Sequence, residues 1–480
     1  MCYKTFSSIA VCFKSVVVRY SDKGKTMNKL LFVKFLCVLV LCAIGSTNKA
    51  MDIFQASQVG NCARVGELLD QGVNPNVRNV NGYTPLFIAA SNGHYAIVEK
   101  LLHVQGINPN IPGLGGRTPL QIAIEREQVA IADALIKSGL VDINVADDQR
   151  CTALHYAAAR GLTHIVLLLI EHKVFVNASN SKGNTPLHLA AAQSRSDVVH
   201  ILIDTEGVDV NIADVDGYTP LHKTICMGNL DTINMLLNDT RTQVNTIARG
   251  NLTPLLSAVS RGLYGVVEIL IARGADVNMR NEVNGHAPLH LAVGKGYGAI
   301  ASLLVHAPGI KINIMDKFGH TPLMLAAYHG RNDLVTLFLN CGADVMLRSR
   351  RGNLSLHKAI SQGHIDAVTT LLDRHPALIR ETGEQGASPL HEAVKCGNPV
   401  MVRFLLLRNV DVNQLDNFGR TARVLAASNN RQDLVGLIDN GEVRAQLLRM
   451  ATSRLDRIGD AAPAHSIDGF LLKKLKGLLQ

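Results

Sequence analysis

Tryptophan is absent from the 480 residues, and aromatic residues make up only 4% of them. Large aromatic plates therefore cannot build the core, and small aliphatic side chains in short, closely stacked elements must do so. Charged residues are few, 18% against 47% hydrophobic, so there is ample material to bury. None of the nine cysteines stands in a Cys-x-x-Cys pair or shares an evident ligand spacing with histidine. Neither a zinc site nor a disulfide framework is expected. Cys62, Cys151, Cys226, Cys341 and Cys396 are expected to pack as small buried groups. No Gly-x-Ser-x-Gly, Walker, His-Glu-x-x-His or paired-carboxylate constellation occurs, so nothing in the chain signals an enzyme or a resident cofactor.

The net charge of +9 is concentrated at the ends. Residues 1–50 hold eight Lys/Arg against Asp22 alone, and residues 442–480 hold seven against four acids, leaving the body, 51–441, at −1. A nearly neutral body is a poor match for a phosphate backbone, so no nucleic-acid partner is expected.

What the chain has in abundance is self-similarity. Thr84-Pro85-Leu86, Thr118-Pro119-Leu120, Thr152-Ala153-Leu154-His155, Thr185-Pro186-Leu187-His188 and Thr219-Pro220-Leu221-His222 open a series. It runs on through Thr253-Pro254, Ala287-Pro288-Leu289-His290, Thr321-Pro322, Leu354-Ser355-Leu356-His357, Ser388-Pro389-Leu390-His391 and Thr421-Ala422. Successive positions are 33 or 34 residues apart throughout. Each part of the repeat has a mechanical meaning. Threonine caps a helix, and proline takes its first position, where a missing N–H costs nothing. A small-residue face follows, as in Leu187-His188-Leu189-Ala190-Ala191, then a glycine stop such as Gly93, Gly161 or Gly262. A second helix carries a Val-x-x-Leu stripe, as in Val98/Leu101, Val267/Leu270, Val368/Leu371 and Val402/Leu405. An Asp/Asn-Gly turn such as Asp216-Gly217 leads to the next cap.

This pattern resembles the ankyrin repeat, with its Thr-Pro-Leu-His-x-Ala signature. The resemblance covers about 51–441 and includes a degenerate first unit, Ala50–Asn79, in which Asp52 is expected at the proline position and Ala56 at the alanine position. It implies an all-α ankyrin-repeat solenoid of about twelve stacked helix-turn-helix units with β-hairpin loops. Such short helices gain their stability from stacking. Two units depart from the pattern. One lacks the glycine stop and reads Glu125-Arg126-Glu127-Gln128; the other has Leu354-Ser355 for Thr-Pro and ends Arg374-His375-Pro376-Ala377. A local bend or weak coupling is expected there. The resemblance gives the six motif histidines, His155, His188, His222, His290, His357 and His391, a structural role in bonding backbone of neighbouring turns. Spaced a repeat apart, they cannot converge on a metal.

The resemblance also implies a non-catalytic scaffold that binds a protein partner through hairpin tips and inner helices, and acts as a monomer. Tip positions include Arg150, Lys182, Arg249, Lys317, Phe318, Arg348, Arg350, Arg351, Asn417 and Phe418. Phe318 and Phe418, with the arginines, have the character of interface anchors. Arg150, Arg249, Lys317, Phe318, Arg348, Arg350, Arg351 and Phe418 are the candidate partner-binding residues.

The ends are read separately. Residues 1–45 have the order of a signal peptide: Lys25 and Lys29, an apolar run to Ile44, then Ala43-Ile44-Gly45 as cleavage site. Met27 stands where such a peptide would naturally begin. The open alternatives are an uncleaved anchor, which would make a membrane-tethered scaffold, and lipidation at Cys42. The expectation is a secreted or membrane-anchored protein, or a cytoplasmic one if the leader is a misplaced start. Residues 46–441 form the array. In the tail, 442–480, Val443–Ile458 carries a helical stripe, and Leu471, Leu475, Leu478 and Leu479 share one face of a short basic helix. That helix is expected to cap the last repeat; contact with a membrane surface or a partner groove are the other readings.

Overall fold

The computed structural model describes residues 51–440. The expected leader and tail lie outside the described residues. The described residues divide into two compact units, 51–181 and 182–440, each taken by itself below.

The Thr-Pro pair starts a helix as its chemistry dictates. In the first unit the helix pairs are α1 Ile53–Val59 and α2 Cys62–Asp70, α3 Pro85–Asn92 and α4 Tyr95–Leu102, α5 Pro119–Glu125 and α6 Val129–Lys137, and α7 Ala153–Arg160 and α8 Thr163–Glu171. In the second they are α9 Pro186–Ala192 and α10 Ser196–Asp204, α11 Pro220–Met227 and α12 Leu230–Asn238, α13 Pro254–Arg261 and α14 Tyr264–Ala272, and α15 Pro288–Lys295 and α16 Gly298–Val305. There follow α17 Pro322–Tyr328 and α18 Asn332–Asn340, α19 Ser355–Ser361 and α20 Ile365–Arg374, α21 Pro389–Lys395 and α22 Pro399–Leu407, and α23 Ala422–Ser428 with helical residues 432–440 after it. Thr84, Thr118, Thr185, Thr253, Thr321 and Thr421 each accept the N–H three residues on, satisfying a donor the helix would leave orphaned.

Within each unit, first helices pack on first helices and second on second. The small-residue face makes this close approach workable: Ala89, Ala157, Ala190, Ala258, Ala292, Ala326 and Ala393 are completely buried. On the second helices Val98, Leu101, Val267, Leu270, Val368, Leu371, Val402 and Leu405 are also completely buried. Helices of 7–10 residues would not hold alone; stacking supplies their stability.

Three expectations are corrected and one is refined. No strand forms among the described residues. Hairpin loops are typically closed by one cross-loop backbone bond, such as Asp214 N–H to Tyr218 C=O at 2.9 Å, with a turn bond inside it, Gly217 N–H to Asp214 C=O at 2.9 Å. Only Ala248 and Leu252 exchange both bonds, as an isolated bridge. Asp52 and Ala56 keep the expected register, eight and four residues before Gly60 as Pro85 and Ala89 are before Gly93, but Asp52 also caps α1 by accepting the N–H of Gln55, because this helix starts one residue later in the repeat than α3. The unit without a glycine stop still turns: Glu127 adopts the left-handed conformation itself, at φ 60°, as do Ser194 and Asn430 elsewhere, at about 1 kcal/mol or more of strain each. None of the five body cysteines is buried; Cys62, Cys151 and Cys341 are half-buried and Cys226 and Cys396 exposed, all unpaired, because they stand at helix ends and loop edges.

The unit that begins at Leu354 keeps its packing by substitution. Leu354 is fully buried but offers no side-chain cap. A short 3-10 turn, Pro376–Arg380, replaces the usual ending, and Leu378, fully buried, fills the space that Val277 and Val345 fill in their units.

Candidate functional site: the row of hairpin tips

The motif histidines position the loops. In each bonded case Nδ1 accepts the N–H of its own helix cap: Thr152 to His155 at 3.1 Å, Thr185 to His188 at 3.1 Å, Thr219 to His222 at 3.2 Å, Ala287 to His290 at 3.2 Å and Ser388 to His391 at 3.3 Å. Nε2 then donates to a carbonyl in the next repeat: Tyr218 for His188, Leu252 for His222, His320 for His290 and Arg420 for His391. This pair of bonds requires the neutral ring. Burial pushes His222 and His290 down to about 4. His357 is the exception: neither of its buried ring nitrogens bonds to the cap or to the next repeat. Gln121 does the histidine's work with an amide. Its Oε1 accepts the N–H of Thr118 at 2.8 Å, and its Nε2 donates to Val145 and Cys151 carbonyls at 2.8 Å.

The tips are tied to one another by backbone. In the first unit Asp148 N–H meets Gly115 C=O at 3.1 Å, and Ser181 meets Gln149 at 2.8 Å. In the second unit Val215 meets Lys182 at 3.1 Å, Arg249 meets Asp216 at 2.7 Å, Glu282 meets Gly250 at 2.7 Å, Lys317 meets Asn284 at 2.9 Å, Arg350 meets Phe318 at 2.9 Å and Asn417 meets Gln385 at 2.9 Å. The ladder skips two steps: between the loops 79–83 and 113–117, where the Arg78 side chain donates to the Pro112 carbonyl at 3.0 Å, and between the loops at Gly352 and Glu384, where the Asn353 side chain accepts the Glu384 N–H at 2.9 Å. The second is the place where weak coupling was expected, and coupling there passes through a side chain.

The candidate residues fall into distinct situations. Phe318 and Phe418 are 58% and 61% exposed. The Phe318 ring lies 6.0 Å from His320, and the Arg420 guanidinium sits 4.8 Å over the Phe418 ring. Phe318 and Arg350 stand on adjacent tips, whereas Phe418 belongs to a tip three repeats on. Arg249 reaches back to Asp216 at 3.3 Å and remains exposed. The Lys317 ammonium donates to the Glu282 carbonyl. Arg348 is braced: it pairs with Glu381 at 2.7 Å and donates to the carbonyls of Gly352 and Thr382, so it clamps one loop to the next. Arg150, Arg350 and Arg351 are exposed, and among the described residues their side chains have no ion pair. Arg150, in the first unit, adopts the left-handed conformation at φ 58°.

Loop aspartates were not anticipated as a feature. Asp147, Asp214, Asp316 and Asp416 each accept two loop N–H groups through Oδ1, for example those of Phe318 and His320 at 2.8 Å. Oδ2 then holds a group beside the tip: the Tyr156 hydroxyl at 2.5 Å, Lys223 at 2.6 Å or Arg420 at 2.8 Å. Burial alone would raise the Asp416 carboxyl, but Arg420 and the loop N–H groups bring it down to about 2. The signal is visible in sequence as Asp214-Val-Asp-Gly217, Asp316-Lys-Phe-Gly319 and Asp416-Asn-Phe-Gly419.

A family model described as ankyrin repeats (3 copies) matches residues 53–147, 131–214, 197–281, 250–316, 289–381 and 356–446. The chain belongs to the ankyrin-repeat family. Among curated relatives, a putative ankyrin repeat-containing protein of Treponema pallidum (strain Nichols) is 36% identical over 113 residues, 23% of this chain and 38% of that protein. Ankyrin repeat domain-containing protein 63 of Mus musculus is 35% identical over 102 residues, 20% of this chain and 26% of its own. Tyrosine-protein kinase HTK16 of Hydra vulgaris is 31% identical over 135 residues, 27% of this chain and 18% of the kinase. The chain thus spans well under half the length of these relatives. Ankyrin repeats are in general protein–protein interaction modules, and the family is typically non-catalytic. Among the described residues no three His, Cys, Asp or Glu side chains converge as for a metal ion, and no helix is long and apolar enough to cross a membrane.

Proposed function

We propose that this ankyrin array is a non-catalytic adaptor that takes a protein partner along its hairpin tips and first helices, and that it is exported by its N-terminal leader. The observation that carries the binding reading is the exposed pairing of Phe318 with Arg350 and Arg351 on adjacent tips. An aromatic ring and unpaired guanidinium groups on a backbone-tied support are the residue types that dominate interface energetics, and the rigid ladder lowers the entropy lost on binding. The export reading rests on the leader's order of basic, apolar and small residues.

Affinity capture with the full chain tests the binding reading. Phe318→Ala, Arg350→Ala and Arg351→Ala together should leave the far-ultraviolet circular dichroism and melting temperature unchanged, since surface substitutions shift stability by about 0.5 kcal/mol or less. They should weaken capture of the partner by about tenfold or more. Equal capture by wild type and the triple variant would end the proposal.

A further inference from the structure

One tip gathers cations that no side-chain carboxylate of its own loop meets. Where four other loops place Asp147, Asp214, Asp316 or Asp416, the loop of this repeat has Ser349, 5% exposed, whose hydroxyl only accepts the Asn353 N–H at 3.2 Å. In two of those loops the second carboxylate oxygen pairs with a neighbouring cation, Lys223 or Arg420; at Ser349 there is no such oxygen. The cations it would meet are present. Lys358 is the fourth residue of α19, the place Lys223 holds in α11, where Lys223 pairs with Asp214 at 2.6 Å. Arg350 and Arg351 follow Ser349 directly and have no ion pair among the described residues. The crowding is felt locally: burial and then Arg351 lower the Lys358 pKa, and burial and then Lys358 lower that of His320. Glu384, Glu392 and Asp316 of the preceding loop offset Lys358 in part; Glu392 also faces Lys395 at 3.8 Å, and Glu384 sits 3.4 Å from the Asn353 amide. Phe318 borders this positive ground, its carbonyl bonded to the Arg350 N–H at 2.9 Å.

We propose that this patch receives an acidic, extended stretch of a partner protein, with carboxylates on Arg350, Arg351 and Lys358 and one apolar side chain against Phe318. The inference rests on the adaptor reading and names the partner's chemistry. Paired guanidinium forks match carboxylates in plane, which a lone ammonium does not. A single patch on a body of charge −1 does not suit a polyanionic backbone, which needs a continuous basic stripe.

The test uses the full chain and fluorescence anisotropy. The probe is a labelled synthetic peptide of alternating Glu and Asp around one Phe; the comparators are its Gln/Asn counterpart, a single-stranded oligonucleotide and phosphatidylserine vesicles. The acidic peptide should bind saturably and the amide peptide should not. Ser349→Asp removes no cation and installs the carboxylate that four sister loops carry, so it should fold, and it should weaken the peptide about tenfold. Arg351→Gln should do the same and serves if Ser349→Asp fails to fold. The inference is overturned if the amide peptide binds as well, if both variants bind like wild type, or if oligonucleotide or vesicles bind more tightly. A protein partner still captured through Phe318, but indifferent to Ser349→Asp, would leave the adaptor reading standing and remove this one.

Discussion

Phe338→Ala is expected to destabilise the array by about 3–5 kcal/mol. Phe338 lies in α18 and is the largest of the fully buried side chains, at 0% exposure. Aromatic residues make up only 4% of the chain, so most of the core is filled by alanine, valine and leucine. Those residues cannot swing into a space the size of a benzyl group, and the cavity term adds to the lost transfer energy. In a stack where each repeat is stabilised by its neighbours, the loss should also loosen α16 and α20, which pack on α18. Denaturant unfolding gives the size, and hydrogen exchange the location. Phe318→Ala, at 58% exposure, serves as the contrasting surface substitution. Equal midpoints for the two variants would contradict the packing described.

Stability should fall as pH drops from about 6.5 towards 4, before the carboxylates titrate. The folded state holds His222 and His290 down to about 4 by burial, and His357 likewise. In that window the unfolded chain binds protons that the folded chain refuses, so acid favours unfolding. At roughly 1.4 kcal/mol per pH unit, each histidine removes up to about 3 kcal/mol by pH 4. At His222 and His290 the loss is local to each repeat, because protonated Nδ1 can no longer accept the cap N–H; at His357 it is the cost of charging a buried ring. Gln121 supplies the control, since its amide makes both bonds and does not titrate. His222→Gln with His290→Gln should match wild type near neutrality and lose much of the acid slope in urea midpoints. Parallel pH profiles for variant and wild type would refute the titration account.

The helix starts were legible because Thr-Pro does one physical job at one spacing. Gly93, Gly161 and Gly262 end helices in the left-handed region as read. Where the letter changed but the job did not, the pattern was blind. Glu127 turns without glycine, Asp52 caps without threonine, and Gln121 bonds as histidine does. Arg348 read as a free tip because its partner, Glu381, lies 33 residues away in the next loop. That distance is one repeat, so comparing each tip with the acid one period on would have found the pair. Ser349 was overlooked for the opposite reason: it matters for the carboxylate it lacks, which shows only once four sister loops are seen to use theirs. The exposure of Phe318 was anticipated, whereas its bond to the Arg350 tip required the fold.

Photo-crosslinking in cells that make the protein tests the adaptor claim most directly. A benzophenone amino acid would be placed at Phe318 and, separately, at Glu268, exposed on the second helix Tyr264–Ala272. The account predicts a discrete protein adduct from position 318 and none from position 268. An adduct from 268 with none from 318 would place binding on the second helices and contradict it.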